Sequence, residues 1–403
     1  MTWLGRRWMP VACIFPFMMA CALSVIVEIV PVRAQDVKTK ATNEAKLRSA
    51  STTGWHSFRG DAALTGVATS TLPAELRVRW RYECPDPVAS TAAIANGIAF
   101  VGCDDGNLYA LNLSNGAVAW KYAAKDAIRS SPTFVRPPKL GKQMVAFGDE
   151  LGTLHAIDAN TGKPIWTYET EAPIVSSANY HQGRFVFGSY DGTLYCVTAH
   201  DGKLVWKYQT DDRIHGTPGI AGDVCLTAGC DGQLHVVRLS DGKAIAKVEL
   251  GSVSGASAAV LDSRVILGTY GNQVLGIDFR TRKVAWTYEN PDREFPFMSS
   301  AAVTPRRAFL GGRDKRLRAL DPKTGKLLWE FPTKGRIDSS PVVAGDRVFV
   351  GSYDGKIYAV AAATGKEVWH YETGAPFSAS PAIGGGCLVI GNEDGVIYCF
   401  GSK

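Results

Sequence analysis

Cysteine is present nine times in the 403 residues, but no two cysteines stand in a CxxC step, and no Cys/His cluster has ligand spacing. That excludes a zinc ribbon or finger and a CxxCH haem attachment. His56, His155, His181, His200, His235 and His370 stand alone, without ligand partners in sequence. There is no run of Lys or Arg, and the formal net charge is only +6. Three arginines and one glutamate fall in the first 34 residues, so the remainder carries +4, a mildly basic surface and not a nucleic-acid footprint. No loop has the alternating acids of an EF-hand, and the many Asp-Gly steps are what tight turns demand.

Against these absences stands a repeat. Tryptophan returns about every forty residues, at Trp80, Trp120, Trp166, Trp206, Trp286, Trp329 and Trp369. The missing beat falls at Ala246, midway between Trp206 and Trp286. Self-similarity at this period marks a repeat architecture and overrides the usual division of such a length into separate domains.

The clearest copy reads Ser339-Ser340-Pro341, a strand to Gly351, Ser352-Tyr353-Asp354-Gly355, a strand to Val360, Thr364-Gly365-Lys366, then Trp369-His370-Tyr371. Asp-Gly between alternating apolar runs is the strongest short hairpin signal. Trp369 and Tyr371, two apart, share one face of an outer strand. A four-stranded antiparallel unit with one large aromatic is a propeller blade. Eight such hairpins and eight outer strands are present, but the first outer strand, around Trp80, precedes every hairpin. It is expected to complete the last blade, which ends near Phe400, and so to close an all-β, eight-bladed ring. One bulky side chain per blade reads as packing between blades, not as a carbohydrate platform.

The repeat resembles the pyrroloquinoline-quinone-type (PQQ-like) propeller repeat over residues 80–400, and Trp55-His56-Ser57-Phe58-Arg59-Gly60-Asp61 resembles the lead-in of exported members. The resemblance includes quinoprotein dehydrogenases and BamB-type assembly factors. The former hold PQQ with calcium, and carry an adjacent cysteine pair and metal ligands on long insertions. Here no two cysteines are adjacent, and the beats of 40, 46 or 43 residues leave little room for insertions. The BamB-like reading implies a non-enzymatic scaffold with a protein partner in the cell envelope and no cofactor. PQQ with calcium, bound by a redox enzyme, is the alternative.

Residues 1–34 read as a signal peptide. Arg6 and Arg7 precede an apolar stretch from Trp8 to Val27, and Val32-Arg33-Ala34 fits a cleavage site. An uncleaved signal anchor is the other reading, since the stretch is long enough to span a bilayer. Cys21 lacks the leucine expected at −3 of a lipoprotein site. Residues 35–54 read as a polar, disordered linker and 55–403 as the propeller, expected as a monomer exported to the periplasm or cell envelope.

Function is sought where the copies differ. The residues before the Ser-Ser-Pro-like triplets are Ala89, Arg129, Val175, His215, Ser254, Met298, Asp338 and Ser378, expected to ring one mouth of the central channel. Arg129, His215 and Asp338, with Arg213 and Arg336 two residues upstream, form a candidate site for a small anion or an acidic loop. An insertion after Asn290 carries Asp292, Arg293, Glu294, Phe295 and Phe297, aromatics among charges that suit a partner-binding loop. Cys84 with Cys103, and Cys387 with Cys399, are placed to pair as disulfides or to remain buried thiols.

Overall fold

The computed structural model describes residues 54–138, 140–290 and 294–402. The expected leader and nearly all of the linker lie outside them, as do Asp292 and Arg293.

Eight antiparallel sheets follow one another in the chain. Blade one contains Ala93–Ala95, Ile98–Gly102, Asn107–Asn112 and Val118–Ala123, ordered from the innermost strand outwards, and the next six repeat that order. Blade eight has only Ala382–Gly384, Cys387–Gly391 and Val396–Gly401 in sequence, and its outer strand is Arg77–Glu83 from the start of the chain. Trp80 pairs with Cys399 and Tyr82 with Ile397. The ring is closed as the count of hairpins predicted, and no sheet edge is left open between the two ends of the repeat.

Two devices hold neighbouring blades together. The first is tryptophan. Each blade has a bulge where its third strand meets its outer strand, and Trp stands at that bulge in seven of the eight. The bulge twists the outer strand and tips the indole across the seam. The indole nitrogen then donates to a carbonyl of the next blade, as Trp206 does to Leu239 at 2.8 Å and Trp120 to Ala159 at 3.1 Å. Six of the rings lie against the Thr-Gly, Asp-Gly or Asn-Gly turn beyond. A Cβ on Gly242 (φ +73°) would fall 2.7 Å from the Trp206 ring, so this turn requires both the left-handed backbone and the missing side chain.

The second device was not anticipated. The middle hydroxyl of each triplet accepts the backbone amide of the same position one blade earlier: Thr91 N to Ser131 Oγ, Ser131 N to Ser177 Oγ, and so on through Thr217, Ser257, Ser300, Ser340 and Ser380. Ser380 N returns to Thr91 Oγ1 at 3.3 Å, completing an eight-membered circle around the channel. The repeated serines therefore satisfy inner-edge amides that have no strand partner.

The lead-in completes this edge on the opposite face. His56 O accepts Phe134 N, Ala62 O accepts Ile220 N, Ala63 O accepts Val260 N, Thr65 O accepts Val303 N, and Gly66 O accepts Val343 N. Val67–Ala68 then adds a short parallel strand to blade seven. Arg59 is 1% exposed and its Nη2 donates to the carbonyls of Ala301 and Pro341. Loss of solvent pushes this guanidinium down to about 9.

The Asp of several hairpins serves a structural acceptor role. Asp191 and Asp354 accept the hydroxyls of Tyr195 and Tyr358, and Asp231 bonds His235 at 2.7 Å. The described cysteines are all free thiols. Cys84 is hydrogen-bonded to Cys103, and that bond together with burial pushes its thiol up. Cys387 is hydrogen-bonded to Cys399 and lies 3.2 Å from Arg79 Nη1, contacts that hold its thiol down.

Candidate functional site: the channel mouth

The Asp-Gly hairpins and the loops entering each inner strand meet at one end of the channel. There the first residue of each hairpin turn bonds through its amide to the loop that enters its own blade, as Asp104 N does to Pro87 O and Tyr353 N to Arg336 O, both at 3.0 Å. Those hairpin residues are Asp104, Glu150, Tyr190, Cys230, Tyr270, Arg313, Tyr353 and Glu393, a second rim that the sequence reading did not single out.

The five mouth candidates fall into three groups, each completed by that second rim. Arg129 bonds both carboxylate oxygens of Asp104, with Nη2–Oδ2 at 3.1 Å, and its Nη1 lies 3.7 Å from Glu150. Burial pushes the Glu150 carboxyl up, and Arg129 partly offsets that. His215 Nδ1 is 2.6 Å from the Tyr190 hydroxyl, and the Arg213 guanidinium sits 5.5 Å over the Tyr190 ring. Asp338 is held by two arginines: Arg313 through Nε and Nη2 at 2.9 and 3.0 Å, and Arg336 through Nε at 3.1 Å. Arg336 in turn stacks 3.8 Å over Tyr353. Blades eight, one and two therefore present the acids Glu393, Asp104 and Glu150. The arc opposite presents Arg213, Arg313 and Arg336 between tyrosines, with Asp338 offsetting part of their charge.

One ring assignment shifts. Ser254 is fully buried, and its amide donates to Gly229 O as the amide of Ile214 does to Ser189 O one blade earlier. It therefore occupies the buried position that Val88, Ile128, Ile174, Ile337 and Phe377 fill elsewhere, and Gly255 is the rim residue. The triplet in this blade is Ala256-Ser257-Ala258, which hid the register.

The insertion after Asn290 divides in the same way. Phe297 is 1% exposed and takes the buried position, with its amide on Thr269 O and the Arg318 guanidinium 5.4 Å from its ring. It packs the blade and is not offered to a partner. Phe295 is 46% exposed and Glu294 is also exposed. Asn290 Nδ2 bonds Asp314 at 2.8 Å and fixes the start of the loop.

A calcium-held quinone would need several convergent oxygen donors. The mouth carboxylates stand on separate blades, and Asp104 and Asp338 are already bidentate partners of arginines. Among the described residues no three His, Cys, Asp or Glu side chains converge as a metal site. The donor set does not fit that group.

Burial lowers the His215 pKa, and Arg213 lowers it further. A histidine depressed below its unfolded value of about 6.5 contributes stability above that pH, and loses it as pH falls through the folded value. His215→Gln is therefore expected to lose less melting temperature than the parent protein between pH 7 and pH 5. His56 and His235, both lowered chiefly by burial, keep part of the slope. Superimposable melting profiles would remove His215 from this account.

The family described as outer membrane protein assembly factor BamB matches the chain over residues 62–178, 135–258, 191–335 and 313–402, which together cover the whole propeller. The chain belongs to the BamB family. Polyvinylalcohol dehydrogenase from a Pseudomonas species is 32% identical over 125 residues, 30% of this chain and 19% of that protein. The chain thus matches only about a fifth of that relative's length. The solved structure of BamB from Moraxella catarrhalis superposes with a TM-score of 0.67 at 19% identity, covering 81% of this chain and 100% of that one. Quinohemoprotein alcohol dehydrogenase from Comamonas testosteroni gives 0.74 at 14% identity, over 90% and 82%. At such identities the two superpositions establish the fold alone, and BamB-family and quinoprotein propellers share it.

Proposed function

We propose that this protein is an exported scaffold of the cell envelope that docks a protein partner during outer-membrane protein assembly, working as a monomer and without a cofactor. The observation that carries the reading is the loop after Asn290. It is longer than the other interblade connections on the mouth face, is anchored at one end by Asn290 and at the other by the buried Phe297, and exposes Phe295 beside Glu294. An exposed aromatic among charges, on a loop held by a rigid ring, is the composition of an interface core with its polar rim. The paired charges of the mouth supply the surrounding electrostatic pattern, which sets orientation and encounter rate more than affinity.

Deleting residues 293–295 returns the loop to repeat length and leaves both anchors in place. The variant is expected to fold and melt like the parent protein, but to lose a partner captured from cell-envelope extracts by the intact chain. Retention of every captured partner would remove the loop from the proposal. Stoichiometric binding of PQQ and calcium by the mature chain would overturn the scaffold reading itself.

A further inference from the structure

The one seam without tryptophan is open. Blade four ends in Ala244–Glu249, where Ala246 stands at the bulge, and blade five begins with Ala259–Leu261. A cavity of about 630 Å³ lies between them, on the face opposite the channel mouth. Cavities of roughly 300–1,000 Å³ are the usual size for small-molecule sites. Its floor includes Val236, Val260 and Phe279, all buried, and its rim carries Arg280, Arg282 and Asp262.

Two departures from the repeat meet at this seam. In the neighbouring seams the indole lies on a turn glycine, and a Cβ there would stand 2.5–2.9 Å from the ring. At the equivalent turn this chain has Arg282, which keeps the left-handed backbone at φ 62° although it is not glycine. A tryptophan at position 246 and a side chain at 282 are thus mutually exclusive, and the chain has given up the tryptophan and kept a strained arginine. The Phe279 carbonyl, equivalent to the Leu239 carbonyl that receives Trp206, has no indole of its own to accept. Among the described residues Arg280, Arg282 and Asp262 form no ion pair, so the rim has an excess of one positive charge over an apolar slot.

We infer that this seam is a binding site for a small aromatic carboxylate of about indole size, with its ring in the place the blade's own tryptophan vacates and its carboxylate on Arg280 and Arg282. A ring N–H would restore the missing donor to Phe279 O. The guanidinium groups supply charge-assisted hydrogen bonds to the acid, which a neutral ligand of the same shape does not receive. The site is independent of the mouth and of the loop after Asn290, which lie on the other face.

The test uses the mature full-length chain and indole-3-propionate as probe, with indole-3-propionamide as its uncharged counterpart. Calorimetry is expected to show one site for the acid and roughly tenfold weaker binding of the amide, the loss of one charge-assisted contact. Amide chemical shifts should move around Val236, Val260 and Phe279. Ala246→Trp with Arg282→Gly rebuilds the seam as in the other blades, and should raise the melting temperature and abolish binding. Should that double variant fail to fold, Arg280→Gln with Arg282→Gln decides, and is expected to bind acid and amide alike. No heat with the acid at low millimolar concentration, equal affinity for the amide in the parent protein, undiminished binding in a folded Ala246→Trp/Arg282→Gly protein, or shifts confined to another face would each overturn the inference.

Discussion

A chain beginning at Cys84 is expected to lose its cooperative melting transition and to aggregate. The truncation removes Arg77–Glu83, the outer strand of blade eight, and with it the pairing of Val78 to Phe400, Trp80 to Cys399 and Tyr82 to Ile397. Val396–Gly401 would become an open edge of high β-propensity, the template for pairing with other chains. Trp80 is also the wedge between blades eight and one, donating to Leu113 O at 2.9 Å and lying on Gly116. The same truncation strips the inner edge of residues 56–66, whose carbonyls hold amides of five blades. Size-exclusion chromatography and a circular-dichroism melt of the truncated chain check this. A monodisperse protein with an unchanged transition would show that closure contributes little. The milder Trp80→Ala, in an intact ring, is expected to cost about 3–5 kcal/mol, as for other buried Trp truncations.

The second large effect is expected at the turn of blade six, where Asp314→Ala should destabilise the protein by about 3–5 kcal/mol. Arg318 is 1% exposed and makes a two-pronged ion pair with Asp314, while its Nε donates to the Tyr288 hydroxyl at 3.1 Å. Phe297 and Tyr288 cover the guanidinium, at 5.4 and 5.9 Å. Removing Asp314 leaves a buried cation with only the more distant Glu330, at 3.7 Å, to offset it, and removes the Asn290–Asp314 hydrogen bond at the start of the loop. The pair replaces a tyrosine hydroxyl on aspartate at the same place in blades one, three and seven. For that reason Asp314→Asn with Arg318→Tyr is expected to recover most of the loss, since the buried charges leave together. Chemical denaturation of the three proteins measures it. A double variant no better than Asp314→Ala would mean that packing around Arg318, and not its charge, governs the site.

The mouth was partly legible in sequence. Arg129, His215 and Asp338 stood out because a repeat makes departures visible at a fixed position. Their partners Asp104, Tyr190 and Arg313 did not, because these sit on the hairpin turns, where the repeat was read only for its turn chemistry. Ser254 was misplaced by one residue for a related reason: the triplet had changed to Ala-Ser-Ala, and the pairing of the Ser254 amide with Gly229 O fixes the register. Phe297 looked like Phe295 by composition, yet one fills a slot that every blade must fill and the other faces solvent.

The sequence alone determined the number of blades, the closure by the Trp80 strand and the seam role of the tryptophans. Each follows from period and turn chemistry, which act over a few residues and are repeated eight times. Tertiary structure decided what happens between copies: the circle of hydroxyls, the lead-in that caps the inner edge, the charge pairs of the mouth, and the cavity between blades four and five. These contacts lie mostly beyond the reach of local propensity: Arg129 and Asp104 are 25 positions apart, and Ser340 and Ser380 are 40. Local propensity contains no information on which side chain of the next blade a given residue will meet.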